Sequence, residues 1–352
     1  MTVLDPEALR ASLLRQIENR YVAEGQLALP AVPALRDHYL ALLADHAANL
    51  ARPLDPSQRA SLQTLLGQKL EEAYAAAPQS SVVVRYRVER LSAAPIMFTI
   101  TSAKRTLADE YDDWVSSRNG SLFGKHPDAK VMDLARALGE ATPVRVLDVG
   151  AGTGRNTLPL ARAGCRTVAV EIAPSLADVL ADELDRVGRD HKGTLDVQVV
   201  CGDILDEALA VPLAPFDLVV VAEVVPHLRN EVELRRLFTR LAGLAREGGL
   251  LLVSVFLAAD AYRPDELARQ VAQVQWSSFF TRDELAAALA DLPWENVSDE
   301  PVLAYERAHL PPTAWPPTSW FESWASGTDA FGTARGEAPM DLRWLVYRKR
   351  GA

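Results

Sequence analysis

Apolar residues follow three different rhythms along this chain. Over residues 1–78 they recur at helical spacing, with Tyr39, Leu40, Leu42 and Leu43 on one stretch and Leu62, Leu65, Leu66, Leu70 and Tyr74 on another. Ala, Leu, Gln, Arg and Glu dominate this region and favour helix. Breaks fall at Leu29-Pro30-Ala-Val-Pro33 and at Arg52-Pro-Leu-Asp-Pro56. The pattern predicts an N-terminal helical region over 1–78. Core packing is the plainest reading of its stripes; a homodimer surface or a cap over an active site is the sharper one. After Pro78 the residues turn β-branched and aromatic. Ser81–Glu89 and Ile96–Thr101 predict two short strands forming a hairpin, at the start of a second domain over 79–352.

The third rhythm begins near residue 126. His126-Pro127 opens a helix that Gly139 ends. Val144–Val149 is a buried strand, followed by a helix from about Arg155 to Ala163 that Gly164 closes. Strands recur at Thr167–Glu171, Asp196–Val200, Phe216–Ala222 and Leu250–Phe256, with helical stretches between them. Short apolar strands alternating with helices predict an α/β fold, a parallel sheet covered on both faces, with its core at about 126–257. The end departs from that order. Thr281-Arg-Asp-Glu284 is a capping box for a helix through about Leu289. Strands near Val297–Arg307 and Asp341–Arg348, with no crossover helix between them, predict an antiparallel closing hairpin carrying a long insert at about 308–339.

Chemistry concentrates in Val146-Leu-Asp-Val-Gly-Ala-Gly-Thr-Gly154. Glycines at 150, 152 and 154 let backbone turn sharply and approach a ligand without a Cβ between them. A dinucleotide fingerprint needs glycine at 155, where this chain has Arg155. The G-x-G-x-G spacing after an acidic strand end instead resembles the first motif of the class I S-adenosylmethionine-dependent methyltransferases. Glu171, Asp203 and Glu223 stand at or just past the ends of the next three strands, the edge where open parallel sheets bind ligands.

That resemblance covers roughly residues 105–350 and implies a Rossmann-like, doubly wound, mostly parallel seven-stranded sheet. It implies S-adenosylmethionine as cofactor. Asp148, Gly150, Ala151, Gly152, Gly154 and Asn156 would form the cradle, with Glu171 and Ile172 at the ribose. Asp203 and Ile204 would lie at the adenine, and Ala222 and Glu223 at the methionine moiety. Within the class, Gly154-Arg-Asn-Thr-Leu-Pro-Leu-Ala161, Gly124-Lys-His-Pro127 and Phe279-Phe-Thr-Arg-Asp-Glu-Leu285 are similar to the tellurite-resistance methyltransferases, which act on thiols and chalcogen anions. Residues 1–78 and the insert have no counterpart in that compact core.

Composition narrows the partners. The net charge of −10 and the lack of a Lys/Arg stripe argue against nucleic acid, because phosphate binding needs clustered cations. No apolar run reaches the roughly 18–20 residues of a membrane span, and Met1-Thr-Val-Leu-Asp-Pro6 lacks a signal-peptide pattern. Cys165 and Cys201, the two cysteines, sit in apolar contexts and read as reduced thiols. A cytoplasmic enzyme acting on a small molecule is expected, without metal.

Two histidines are candidate catalytic groups. His227 follows the strand end that faces the methyl group and is the best candidate base; a wall-packing or capping role competes with it. His126 is a candidate contact, with a helix-start cap as the alternative. Tyr111, Trp114, Trp276, Trp320 and Trp324 are candidates for an apolar acceptor pocket, against a Pro-rich loop pinned by its own aromatics. A thiolate acceptor would need no base, whereas an oxygen or nitrogen nucleophile would. The alternative function is methylation of a protein or carrier-bound substrate docked by the N-terminal helices.

Overall fold

The computed structural model describes residues 5–89, 95–117, 124–139, 143–190, 195–334 and 336–351. It divides into two units, Met1–Thr106 and Leu107–Ala352.

The first unit runs α1 (Pro6–Glu18), β1 (Ala23–Pro30), α2 (Arg36–Asn49), α3 (Pro56–Ala76), β2 (Ser81–Val88) and β3 (Met97–Ala103). Helix α3 starts on a full capping box. The Asp55 carboxylate accepts from the Gln58 amide, the Gln58 side chain accepts from the Asp55 amide, and Pro56 takes the first turn. Its buried face of Leu62, Leu66 and Leu70 packs with Leu40 and Leu43 of α2 onto Val82, Val84 and Ile100 of the sheet. Two expectations change here. Residues 23–30 form a strand, because Leu27 and Leu29 alternate and pair with Val84 and Val82; non-local pairing outweighs the local helical preference. The boundary therefore falls near residue 106 and not near 78, since the predicted hairpin completes an antiparallel sheet in the order β1-β2-β3. Helix α1 buries no residue and exposes Leu9, Leu13, Leu14 and Ile17.

The second unit opens with α4 (Leu107–Ser117) and α5 (Ala129–Leu138). The alternation follows: β4 (Arg145–Val149), α6 (Thr157–Arg162), β5 (Arg166–Glu171), α7 (Pro174–Asp190), β6 (Val197–Cys201), β7 (Phe216–Val221), α8 (Glu231–Leu244) and β8 (Ala245–Ala258). The chain then continues through α9 (Glu266–Val274), β9 (Phe279–Phe280), α10 (Arg282–Leu289) and β10 (Trp294–Pro301). It ends with α11 (Val302–His309), α12 (Phe321–Ala325), α13 (Thr328–Phe331) and β11 (Met340–Lys349). The strands order as β10-β11-β8-β7-β4-β5-β6, and the two-residue β9 pairs beside the end of β8 as an eighth strand. β11 runs antiparallel to both β8 and β10, which is the expected closing hairpin.

Residues 302–309 are helix where strand was expected. Pro301 has no amide to extend the ladder, and Val302 and Glu306, four apart, turn inward on one helical face. The insert is likewise ordered by α11, α12 and α13 and not irregular throughout. Alternation along the strands divides the core. Leu147, Val149, Val219, Val221, Val253 and Leu345 pack under α8 and α10. Val146, Val220, Leu252, Phe256 and Trp344 pack on the opposite face with α5 and the insert. Strand β4 pairs in parallel with β5 on one side and β7 on the other, so the strand order reverses at its carboxyl end. No helix among the described residues is long and apolar enough to cross a membrane.

Candidate active site

The loop leaving β4 lies at that reversal. The amides of Gly150 and Ala151 both donate to the Val170 carbonyl, at 2.8 and 3.1 Å, which ties the loop to β5. Gly150, Gly152 and Gly154 all have positive φ, 72°, 53° and 90°. A Cβ on Gly150 would meet Val224 Cγ2 at 2.3 Å, so both conformation and packing require glycine there. Beneath the loop, Asp148 is buried and accepts the Thr157 hydroxyl at 2.6 Å. Burial pushes its carboxyl up to about 7. Asp148 thus anchors the start of α6.

Glu171, the last residue of β5, is 3% exposed. Its two oxygens accept the amides of Gly152 at 2.8 Å and Ala173 at 2.9 Å. Burial raises its pKa more than these amides lower it. Ile172 beside it stands 39% exposed, an apolar surface at the carboxyl edge. Past β6, the exposed Asp203 accepts the Leu205 amide at 2.8 Å, and Ile204 is buried in the core.

Past β7, Ala222 is buried and Glu223 adopts a left-handed conformation, φ 60°. Its amide donates to Ser254 Oγ at 2.7 Å. The Glu223 carboxylate is paired with Arg155 at 2.7 Å, and Arg155 also binds Asp128 at 2.5 Å. Asn156 turns its amide onto Asp128, accepting from its backbone and donating to its carboxylate, both at 2.9 Å. Asn156 and Glu223, expected at the cofactor, are thus engaged with protein groups in a buried polar network. Sequence reasoning missed Arg155, Asp128 and Glu306 in this network. Glu306 of α11 is fully buried and accepts the amides of Ala129 and Lys130 and the Trp344 indole. The one available signal was an arginine directly after the last glycine of the motif.

His227 lies in a short 3₁₀ turn after β7. Its Nε2 is 3.0 Å from the Tyr111 hydroxyl. Trp276 packs edge-on to both rings, with centroids 5.3 Å from Tyr111 and 5.6 Å from His227. Burial pushes the His227 imidazole down to about 4 and raises the Tyr111 phenol. His227 Nδ1 is buried without a hydrogen-bond partner among the described residues. Trp324 Nε1 donates to the Trp276 carbonyl at 3.2 Å, and its ring packs edge-on to Phe256 and Trp320. Trp320 and Trp324 are therefore partly buried against the core of the α5 face. The Trp114 side chain lies outside the described residues. His126 is exposed before α5, whose N-cap position is taken by Asp128 and not by His126.

Comparison with known proteins follows the same outline. A family model described as "Methyltransferase domain" matches residues 123–299. The magnesium-protoporphyrin O-methyltransferase of Rhodobacter capsulatus is 35% identical over 121 residues, which are 34% of this chain and 49% of that protein. This chain thus spans about half of that relative's length. The ribosomal RNA small subunit methyltransferase J of Aeromonas salmonicida is 27% identical over 227 residues, covering 60% of this chain and 85% of the relative. A solved geranyl diphosphate C-methyltransferase from Streptomyces coelicolor, in complex with Mg2+, geranyl diphosphate and S-adenosyl-L-homocysteine, superposes with a TM-score of 0.49 at 17% identity. The superposition covers 69% of this chain and 96% of that one. With that model spanning half of the sequence, the chain belongs to the methyltransferase-domain family.

Proposed function

We propose that the chain methylates a small thiol or hydroxyl acceptor with an aromatic or lipophilic body, and that the cofactor lies across the carboxyl ends of β4 to β7. The donor set suits it. Among the described residues, Asp148 and Glu171 are buried carboxylates outside any ion pair, an arrangement that favours a cationic ligand over an anionic one. The glycine loop supplies the close backbone approach. The Glu171 carboxylate already accepts the Gly152 and Ala173 amides, and its remaining acceptor capacity would receive a ribose hydroxyl. Asp203 and Ile204 would receive the adenine. Bound in this way, S-adenosylmethionine supplies an electrophilic methyl group for in-line displacement, where alignment dominates the rate.

The observation that carries the acceptor reading is the Tyr111–His227–Trp276 cluster after β7. Its aromatic surfaces exclude water and suit an apolar body. The Tyr111 hydroxyl and His227 Nε2 share a hydrogen bond at 3.0 Å, and burial keeps the phenol protonated and the imidazole neutral. Because burial disfavours its charged form, His227 is a weak base. This favours acceptors that ionise readily, the chemistry of the tellurite-resistance likeness in the core. Methyl-labelled S-adenosylmethionine incubated with small thiols and phenols, ribosomal RNA and carrier proteins tests the reading. Label in a thiol or phenol is expected, and label confined to RNA or protein would overturn it.

One observation favours a second reading. Leu9, Leu13 and Ile17 lie at helical spacing on the exposed face of α1. Such a face suits a docked carrier protein or a second copy of the chain, and light scattering with Leu13→Glu distinguishes a homodimer from a monomer.

A further inference from the structure

Arg155 joins three separate segments of the second unit: its own loop, the start of α5 and the turn after β7. Its side chain is 8% exposed and lies between Asp128, 3% exposed, and Glu223, 19% exposed. Asp128 gives its second oxygen to Asn156, so it cannot shift without breaking two contacts. On the far side, Glu223 holds a backbone conformation that a residue with a side chain rarely adopts, and it does so at the carboxyl end of the sheet. Two bonds determine it: the carboxylate to Arg155, and the amide to the fully buried Ser254 of β8. From Glu223 the chain reaches His227 through a single turn, in which the His227 amide donates to the Val224 carbonyl at 3.0 Å. Val224 is also the residue that packs over Gly150. The strained residue, the glycine loop and the His227 turn are therefore one mechanical unit, and Arg155 is the cation that closes it.

We propose that Arg155 is a positioning residue: through its ion pair with Glu223 it holds the turn over residues 223–227 so that His227 meets Tyr111 beside the cofactor loop. The inference rests on the proposed placement of cofactor and acceptor, but its geometric content does not. Lysine cannot span Asp128 and Glu223 with a planar fork as arginine does. Arg155→Lys keeps the charge and loses the second contact, and Glu223→Gln keeps the volume and loses the ion pair.

Both variants and the wild-type chain, each labelled with 15N on histidine, are compared by long-range 1H–15N spectra of His227, by thermal unfolding, and by calorimetric titration with S-adenosylhomocysteine. In both variants the His227 ring signals are expected to move from the wild-type tautomer pattern toward that of a free imidazole. The S-adenosylhomocysteine titration reports separately on the cofactor loop. His227 signals identical to wild type in two folded variants would overturn the proposal. So would a loss of S-adenosylhomocysteine binding beyond thirtyfold with unmoved ring signals, which would make Arg155 part of the cofactor cradle. If Arg155→Lys fails to fold, Glu223→Gln alone decides through the same signals. If the wild-type chain does not bind S-adenosylhomocysteine, the cofactor placement fails, while the His227 comparison still tests the positioning role.

Discussion

Replacing Glu171 with glutamine separates the loop contacts that its carboxylate makes from the ribose contact proposed for it. Its oxygens accept from the amides of Gly152 and Ala173. A glutamine has a single acceptor oxygen and must turn its NH₂ toward one of those N–H groups, which orphans a buried donor at about 1–3 kcal/mol. Against that, burial already outweighs the amides in setting the protonation of Glu171, so removing the charge relieves desolvation. The two effects oppose each other, and the net loss of folding stability is expected at the low end, about 1 kcal/mol. Ligand binding gains no such relief. A lost hydrogen bond to a charged acceptor costs about 1.5–3 kcal/mol, or roughly 10- to 150-fold in affinity. Calorimetric titration with S-adenosylmethionine alongside denaturant unfolding measures both. A folded Glu171→Gln variant that binds within twofold of wild type would show that the carboxylate only clips the loop.

Gly150→Ala adds left-handed strain of about 1–2 kcal/mol and an overpacked contact with Val224 worth about 1–3 kcal/mol. In urea unfolding, Val224→Ala should therefore recover the packing part only, and a strictly additive double variant would refute the contact. Asp148, lifted by burial from 3.8 to about 7, binds its proton more tightly in the folded state. Stability from this group is greatest below about pH 4 and is lost as pH rises toward 7, by a few kcal/mol at most. His227, lowered from 6.5 to about 4, acts oppositely, losing stability as pH falls from about 6.5 to 4. Asp148→Asn should remove the first trend and leave the second, and unfolding midpoints between pH 4 and 8 check it. Trp324→Ala should cost about 3–5 kcal/mol of stability through lost packing on Phe256; an unchanged melting temperature would place that indole outside the core.

The glycine loop and the acids past successive strands were legible because each is a local signal: turn chemistry, an apolar strand, then a carboxylate. The parallel strands β4 to β8 were found for the same reason, while the two-residue β9 was not. Nor was β1, since the alternation of Leu27 and Leu29 is too short a signal by itself and the segment becomes a strand only by pairing with β2, more than fifty residues later. α11 was hidden behind the strand preference of Val297, and Pro301 marks the switch. The Arg155 network lay beyond sequence reading because its partners stand 27 and 68 residues away. Asn156 and Glu223 were legible as residues near the glycine loop, but the partners that engage them were not.

The segment between Pro301 and Met340 leaves and rejoins the sheet through the paired strands β10 and β11, with Pro301 opposite Arg343. Its ends are thus clamped side by side whatever lies between them. Loop-closure entropy grows only logarithmically, and doubling such a segment costs about 0.6 kcal/mol. Its length and content are therefore nearly free variables, provided that Glu306 still reaches the start of α5 and Trp324 still covers Phe256. That makes it a natural graft point, where a different segment could be spliced between the two strands while the parallel half of the sheet stays as it is.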